Sequence, residues 1–268
     1  MKNYKAIFDA VEKTLVAIGS RNVPSATIRE RLDVFKTFEQ KIFSDGDYYD
    51  LLVAIPFYAG MRADVVSSKL PTIRSHFPDY ETVSGYTESK VNEILNDPRM
   101  IRHAGKISAC INNARAVKAM VQKYGSFQKY IDSFSPRQSL DNLLRLRAVL
   151  MRSPFSHLGR VTSYHFLTDI GMPVLKPDRV IQRIFYRLGL IQSEKVTDKQ
   201  LTETIFEGQA FAKATGHPIR YIDAVFVVYG QVSPESFGIR EGICLAKRPR
   251  CEVCGIRSYC NYEPKTSR

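Results

Sequence analysis

Apolar residues recur with a helical period along almost the whole chain. Tyr4, Ile7, Phe8, Val11, Leu15 and Ile18 fall on one stripe, and Ile28, Leu32, Phe35, Phe38 and Ile42 fall on a second. Residues 45–47, Asp-Gly-Asp, read as a break before a third apolar run at 48–58. Thr87 is placed to cap a helix that runs to about Leu95 and stops at Asn96, Asp97 and Pro98. Ile107, Ile111, Ala114 and Val121 line another helix, closed near Gly125. Leu140, Leu143, Leu144, Ala148 and Met151 line the next. No alternating strand and no internal repeat interrupts these stripes, so the pattern predicts an all-α protein.

The texture changes after Pro154. A short loop, Phe155, Ser156, His157, Leu158 and Gly159, leads into a helix expected over 160–170. Residues 171–177, Gly-Met-Pro-Val-Leu-Lys-Pro, cannot be regular helix. Asp178 then opens a helix that carries Val180, Ile181, Ile184, Phe185 and Leu188 on one face. A carboxylate at that position meets the free N–H groups and the positive end of the helix dipole. Taken alone, this makes Asp178 a cap.

Composition adds a partner class. The 268 residues, 44% of them hydrophobic, suffice for one large domain or two modest ones. Lys and Arg exceed Asp and Glu by 12, which points to a polyanion, most commonly nucleic acid. No apolar run approaches the ~20 residues needed to cross a bilayer. The amphipathic start, residues 1–20, carries acidic residues and no cleavage-like site, so it is not expected to be a targeting peptide. The expectation is a cytoplasmic protein acting as a monomer, associated with the nucleoid if prokaryotic.

Four of the five cysteines, Cys244, Cys251, Cys254 and Cys260, are spaced C-x6-C-x2-C-x5-C. Nothing suggests an oxidising compartment, so a disulfide framework is disfavoured. The spacing reads as metal-binding. Structural zinc usually takes two close cysteine pairs, and here there is one, so zinc and an iron–sulfur group both stay open on the residues alone. Cys110 lies in an apolar helical face and reads as core.

The 6-2-5 spacing resembles the [4Fe-4S] loop of the endonuclease III and adenine glycosylase enzymes. Helix, Gly-containing turn, helix, extended turn and then Asp at a helix start resembles the helix-hairpin-helix DNA glycosylase superfamily, over about residues 48–264. The segment 100–116, Met-Ile-Arg-His-Ala-Gly-Lys-Ile-Ser-Ala-Cys-Ile-Asn-Asn-Ala-Arg-Ala, is similar to the 3-methyladenine DNA glycosylase I branch, as is 155–171. The cysteine run and the residues after it, from Asn261, resemble endonuclease III.

The resemblance implies two helical lobes with a DNA groove between them: 45–165, with the hairpin, and 1–44 joined to 172–268, closed by a [4Fe-4S] cluster on the four cysteines. It implies double-stranded DNA with a damaged base as partner, and an aspartate, Asp178, that helps release a flipped base. Leu158, Gly159 and Arg160 would hold a phosphate, as would Lys247, Arg248 and Arg250 beside the cluster. Phe57, Tyr58, Met61 and His103 fall where the superfamily places base pocket and wedge.

The departures also count. The hairpin keeps only the last glycine of Leu-Pro-Gly-Val-Gly. Val161 stands where endonuclease III has its Schiff-base lysine, so a monofunctional glycosylase acting on a 3-methyladenine-type purine is expected. Lys176 is the alternative nucleophile for a lyase, and a non-catalytic damage-binding protein is a further alternative. Ile55 and Ala63 replace the branch's pocket glutamate and tryptophan, and the chain has no Trp.

Overall fold

The computed structural model describes residues 2–232 and 234–263. Among the described residues every regular element is helical, and no strand occurs. The chain divides into two compact units: Met1–Gln40 with Pro173–Arg268, called the end unit here, and Lys41–Met172, the middle unit.

The end unit begins with α1 (Tyr4–Gly19) and α2 (Ser25–Asp33). The second apolar stripe was expected to continue helically to Ile42. Instead it breaks into two short 3-10 turns, Val34–Lys36 and Phe38–Gln40, and Ile42 is almost fully exposed. The turns point Phe35 and Phe38 at the Arg220 guanidinium, which lies 5.1 and 5.2 Å from their rings. A continuous helix would have spent both rings on its own face.

The middle unit holds α3 (Asp45–Tyr58), α4 (Ala63–His76), α5 (Tyr80–Ser84), α6 (Glu88–Asn96), α7 (Ala104–Tyr124), α8 (Phe127–Asp132), α9 (Leu140–Leu150) and α10 (Thr162–Asp169). Residues 45–47 do not break the chain; they are the first turn of α3. Ser44 accepts from the Asp47 N–H while Asp47 accepts from the Ser44 N–H, a reciprocal cap that also suits acidic residues at a helix start. Phe127 lies at the heart of this unit, with Tyr48, Tyr130, Phe155 and Phe166 around it at centroid distances of 5.1 to 6.4 Å. Phe155 thus ties the loop at 155–159 to the core.

The chain returns to the end unit through 173–178 and α11 (Arg179–Arg187), α12 (Asp198–Thr215) and α13 (Ile219–Gly230). Phe8, Phe185, Phe211 and Phe226 form its aromatic core. The cysteine run wraps back onto α1. Gly255 lies so close to α1 that a Cβ would collide with the Thr14 hydroxyl and crowd the Ala10 carbonyl.

Candidate functional site

In the end unit, Asp178 caps α11. Its Oδ1 accepts from the N–H groups of Val180 (2.8 Å) and Ile181 (3.1 Å). Its Oδ2 lies 3.4 Å from the Lys176 ammonium, and the side chain keeps 23% of its surface exposed. The cap therefore occupies one oxygen, and the other faces the Lys176 ammonium.

A second carboxylate stands behind this turn. The sequence showed no second acid near Asp178, yet Asp223 is 1% exposed, accepts from the Lys176 N–H at 2.9 Å and pairs with Arg220 at 2.7 Å. Burial pushes its carboxyl up from the ordinary value, while Arg220 and Lys176 pull it back and Asp178 adds to the rise. A lone Asp inside the apolar run of α13 was the available signal. Such a residue must have a partner to be buried.

The four cysteines of the C-terminal run are unpaired thiols lining one cavity, together with Arg187, Ile243, Pro249, Arg257 and Tyr262. Among the described residues, no three His, Cys, Asp or Glu side chains converge as a site for a single ion. Three sulfurs receive hydrogen bonds: Cys244 from Arg187 Nη1 (3.3 Å), Cys254 from the Tyr229 hydroxyl (3.2 Å) and Cys260 from the Tyr262 N–H (3.4 Å). Arg183 and Arg187, one turn apart on α11, are both buried. Arg183 donates to the carbonyls of Cys244 and Gly230, and Arg187 to that of Leu245. Sequence periodicity assigned that face of α11 to apolar residues and missed both arginines. Burial pushes the Cys251 and Cys254 thiols up, so metal binding there would release protons.

The basic loop is more divided than expected. Lys247 and Arg248 are exposed, with Arg248 in the left-handed region at φ 50. Arg250 is half-buried and donates to the Glu241 carbonyl at 2.8 Å, so it braces the loop.

In the middle unit the expected DNA-facing residues have mixed fates. Phe57 is fully buried, so its ring has no face to offer a base. Tyr58 is half-buried, shares a hydrogen bond with Ser67 and sets its ring edge-on to His165. Met61 is 36% exposed, next to Gly60 at φ 75. His103 is exposed and caps α7 by accepting from the Lys106 N–H. Leu158 is a core side chain at 3% exposed, leaving only its backbone for contact. The Gly159 N–H is engaged with Thr162 Oγ1 at 2.7 Å, and that hydroxyl donates to the His157 carbonyl. A phosphate at Gly159 would have to displace Thr162. Arg160 is exposed beside it.

This helical arrangement is a DNA glycosylase fold. The 8-oxoguanine DNA glycosylase of Thermotoga maritima superposes with a TM-score of 0.52 at 17% identity, over 82% of this chain and 95% of that one. By sequence, the chain is 26% identical to endonuclease III of Rickettsia felis over 220 residues, covering 80% of this chain and 83% of that protein. It is 28% identical to DNA-3-methyladenine glycosylase 1 of Escherichia coli over 130 residues, covering 42% of this chain and 70% of that enzyme. The methyladenine glycosylase family model matches residues 39–176. The chain belongs to the methyladenine glycosylase family and is a DNA glycosylase, a hydrolase of N-glycosyl bonds. Among the described residues no helix is long and apolar enough to cross a membrane.

Proposed function

We propose that this glycosylase is monofunctional, acts as a cytoplasmic monomer, and releases an alkylated purine of the 3-methyladenine type from duplex DNA, with Asp178 as its catalytic residue. The observation that carries the reading is the division of labour within one carboxylate. Oδ1 is locked by two helix N–H groups, Oδ2 faces the Lys176 ammonium at 3.4 Å, and the side chain keeps 23% of its surface exposed.

Breaking the glycosidic bond leaves positive charge on the deoxyribose. A carboxylate already fixed in place stabilises that charge without reorganising. The same group can orient or deprotonate the attacking water. A cationic alkylpurine leaves readily and needs little help from an acid. The choice of base rests on the family match and on the relative from Escherichia coli.

The damaged nucleotide must leave the stack, at a cost of about a few kcal/mol. Met61 is the wedge we favour, because its exposed side chain follows a glycine with open space around it. Tyr58 and His103 flank that role. The backbone at Leu158 and Gly159, with Arg160, Lys247 and Arg248, would hold phosphates.

A [4Fe-4S] cluster fits the four cysteines. They line one cavity together. The sulfurs of Cys244, Cys254 and Cys260 accept hydrogen bonds, and such bonds tune cluster thiolates. Bound there, the cluster would supply structure and a redox centre; this chain's own residues do the hydrolysis.

Asp178→Asn should bind lesion-bearing duplex as the wild type does and release no base from methylated DNA. Undiminished release would overturn the assignment. The 3.4 Å approach of Lys176 to Asp178 favours one second reading, a lyase in which Lys176 attacks the sugar. Borohydride would then trap a covalent DNA adduct that Lys176→Ala abolishes.

A further inference from the structure

Helix α7 meets α3 through one row of side chains. Lys106, Cys110 and Asn113 are four and three residues apart and so share a face. All three donate to backbone carbonyls of α3 and the residue after it. Lys106 Nζ reaches Phe57 O (3.1 Å) and Ala59 O (2.7 Å), Cys110 Sγ reaches Val53 O (3.7 Å), and Asn113 Nδ2 reaches Leu52 O (3.1 Å).

The chain supplies the reason for part of this. Pro56 lies inside α3 and has no N–H for the carbonyl four residues back, which is that of Leu52. Asn113 replaces the missing donor. Phe57 and Ala59 lie where α3 ends and carbonyls lose their helical partners, and an ammonium suits that negative end. Lys106 is nevertheless an expensive choice. It is 5% exposed, its ammonium rests on carbonyls, and burial lowers its pKa. An apolar residue there would leave both carbonyls without this donor.

Both polar residues hold more than a helix. Lys106 fixes the last carbonyls before Gly60, Met61 and Arg62. Asn113, fully buried, grips Ser156 on both sides: its Oδ1 accepts from the Ser156 N–H (2.8 Å) and its Nδ2 donates to the Ser156 carbonyl (3.2 Å). Ser156 directly precedes His157, Leu158 and Gly159. One rigid helix of 21 residues therefore sets the position of two loops.

We infer that Lys106 and Asn113 are positioning residues for base flipping. They fix the loop that carries Met61 and the loop that carries Leu158 and Gly159 at one spacing, so that the wedge enters the stack while the neighbouring phosphate is held. This rests on the glycosylase reading above. Neither residue touches the reacting atoms.

The test uses the full chain and a duplex with a tetrahydrofuran abasic analogue beside 2-aminopurine, whose emission rises on unstacking. Lys106→Met keeps the length and removes the donors. It should bind this duplex and undamaged duplex within about threefold of wild type. It should lose the emission rise and release base at saturating enzyme about tenfold or more slowly, a loss in rate at kept affinity. Lys106→Arg should restore most of both. Wild-type emission and rate in a folded Lys106→Met would overturn the proposal. So would affinity, rate and stability falling together, which marks a purely structural lysine. Should Lys106→Met not fold, Lys106→Gln and Asn113→Asp are read by the same criteria. Wild-type protein that neither unstacks the probe nor releases base overturns the glycosylase reading itself, and this inference with it; Lys106→Met alone falling outside the pattern overturns only the positioning role.

Discussion

Asp178 and Asp223 are two carboxylates within one stretch of the end unit, and their surroundings separate their work. Asp178 is partly open to water, whereas Asp223 is sealed and holds the turn at Lys176 through a backbone bond. Asp223→Leu should cost about 3–5 kcal/mol, because Arg220 stays behind at 16% exposed without its carboxylate. Asp223→Asn keeps an acceptor for the Lys176 N–H and should cost about 1–3 kcal/mol. Urea unfolding at an unchanged slope would measure both, and a loss below about 1 kcal/mol in the Leu variant would refute the role. Asp178 was legible in the sequence because a cap announces itself: proline, then aspartate, then an amphipathic run. Asp223, Lys106 and Asn113 were not, because a buried polar residue is defined by its partner, and Asp223's Lys176 lies 47 positions away.

At the scale of elements, helices with one buried stripe could be read and others could not. Helix α7 and helix α9 fall close to where periodicity puts them. Helix α4 was missed because it buries only Val66 and Ile73, too few for a stripe. Helix α13 was missed for the opposite reason: it is buried nearly all round, so its apolar residues show no period. The cysteine loop was visible by spacing alone, yet its braces from α11 and from Tyr229 were not. Replacing any one of Cys244, Cys251, Cys254 or Cys260 by Ser should abolish broad visible absorption and loosen the loop from α1 to protease. Colourless wild-type protein carrying zinc would refute the cluster. The junction of α12 and α13 carries a pH response. His217 lies against Phe8 and Tyr221 at 5.5 and 4.9 Å, and burial, helped by Lys36 and opposed by Glu12, lowers its pKa from 6.5. The unfolded chain then binds the extra proton first, so this contribution is complete above about pH 6.5 and fades as pH falls below it. Thermal unfolding of His217→Phe should show a shallower acid limb than wild type, and an unchanged limb would exclude His217 as its source.

Over the whole chain, family and chemistry divide along the two units. The family match covers residues 39–176, all of the middle unit, and stops two residues before Asp178. The proposed carboxylate and the cysteines thus lie outside the residues that the family model matches, and the family's substrate cannot be carried across to them unchanged. What the whole chain does share is charge. An excess of 12 basic groups makes DNA affinity a counterion-release equilibrium, so the logarithm of affinity should fall linearly with the logarithm of salt. Each phosphate contact contributes about 0.9 to that slope on duplex DNA. Lys247→Ala and Arg248→Ala should each flatten it by about that amount, with little change in stability, since both side chains are exposed. Arg250→Ala should behave differently. Its guanidinium bonds the Glu241 carbonyl, so it should cost stability more than slope. Titrations of undamaged duplex from low to moderate salt would separate the three. Equal slopes in wild type and the Lys247, Arg248 double variant would remove this loop from the DNA surface and move the polyanion's footing to the remaining basic residues.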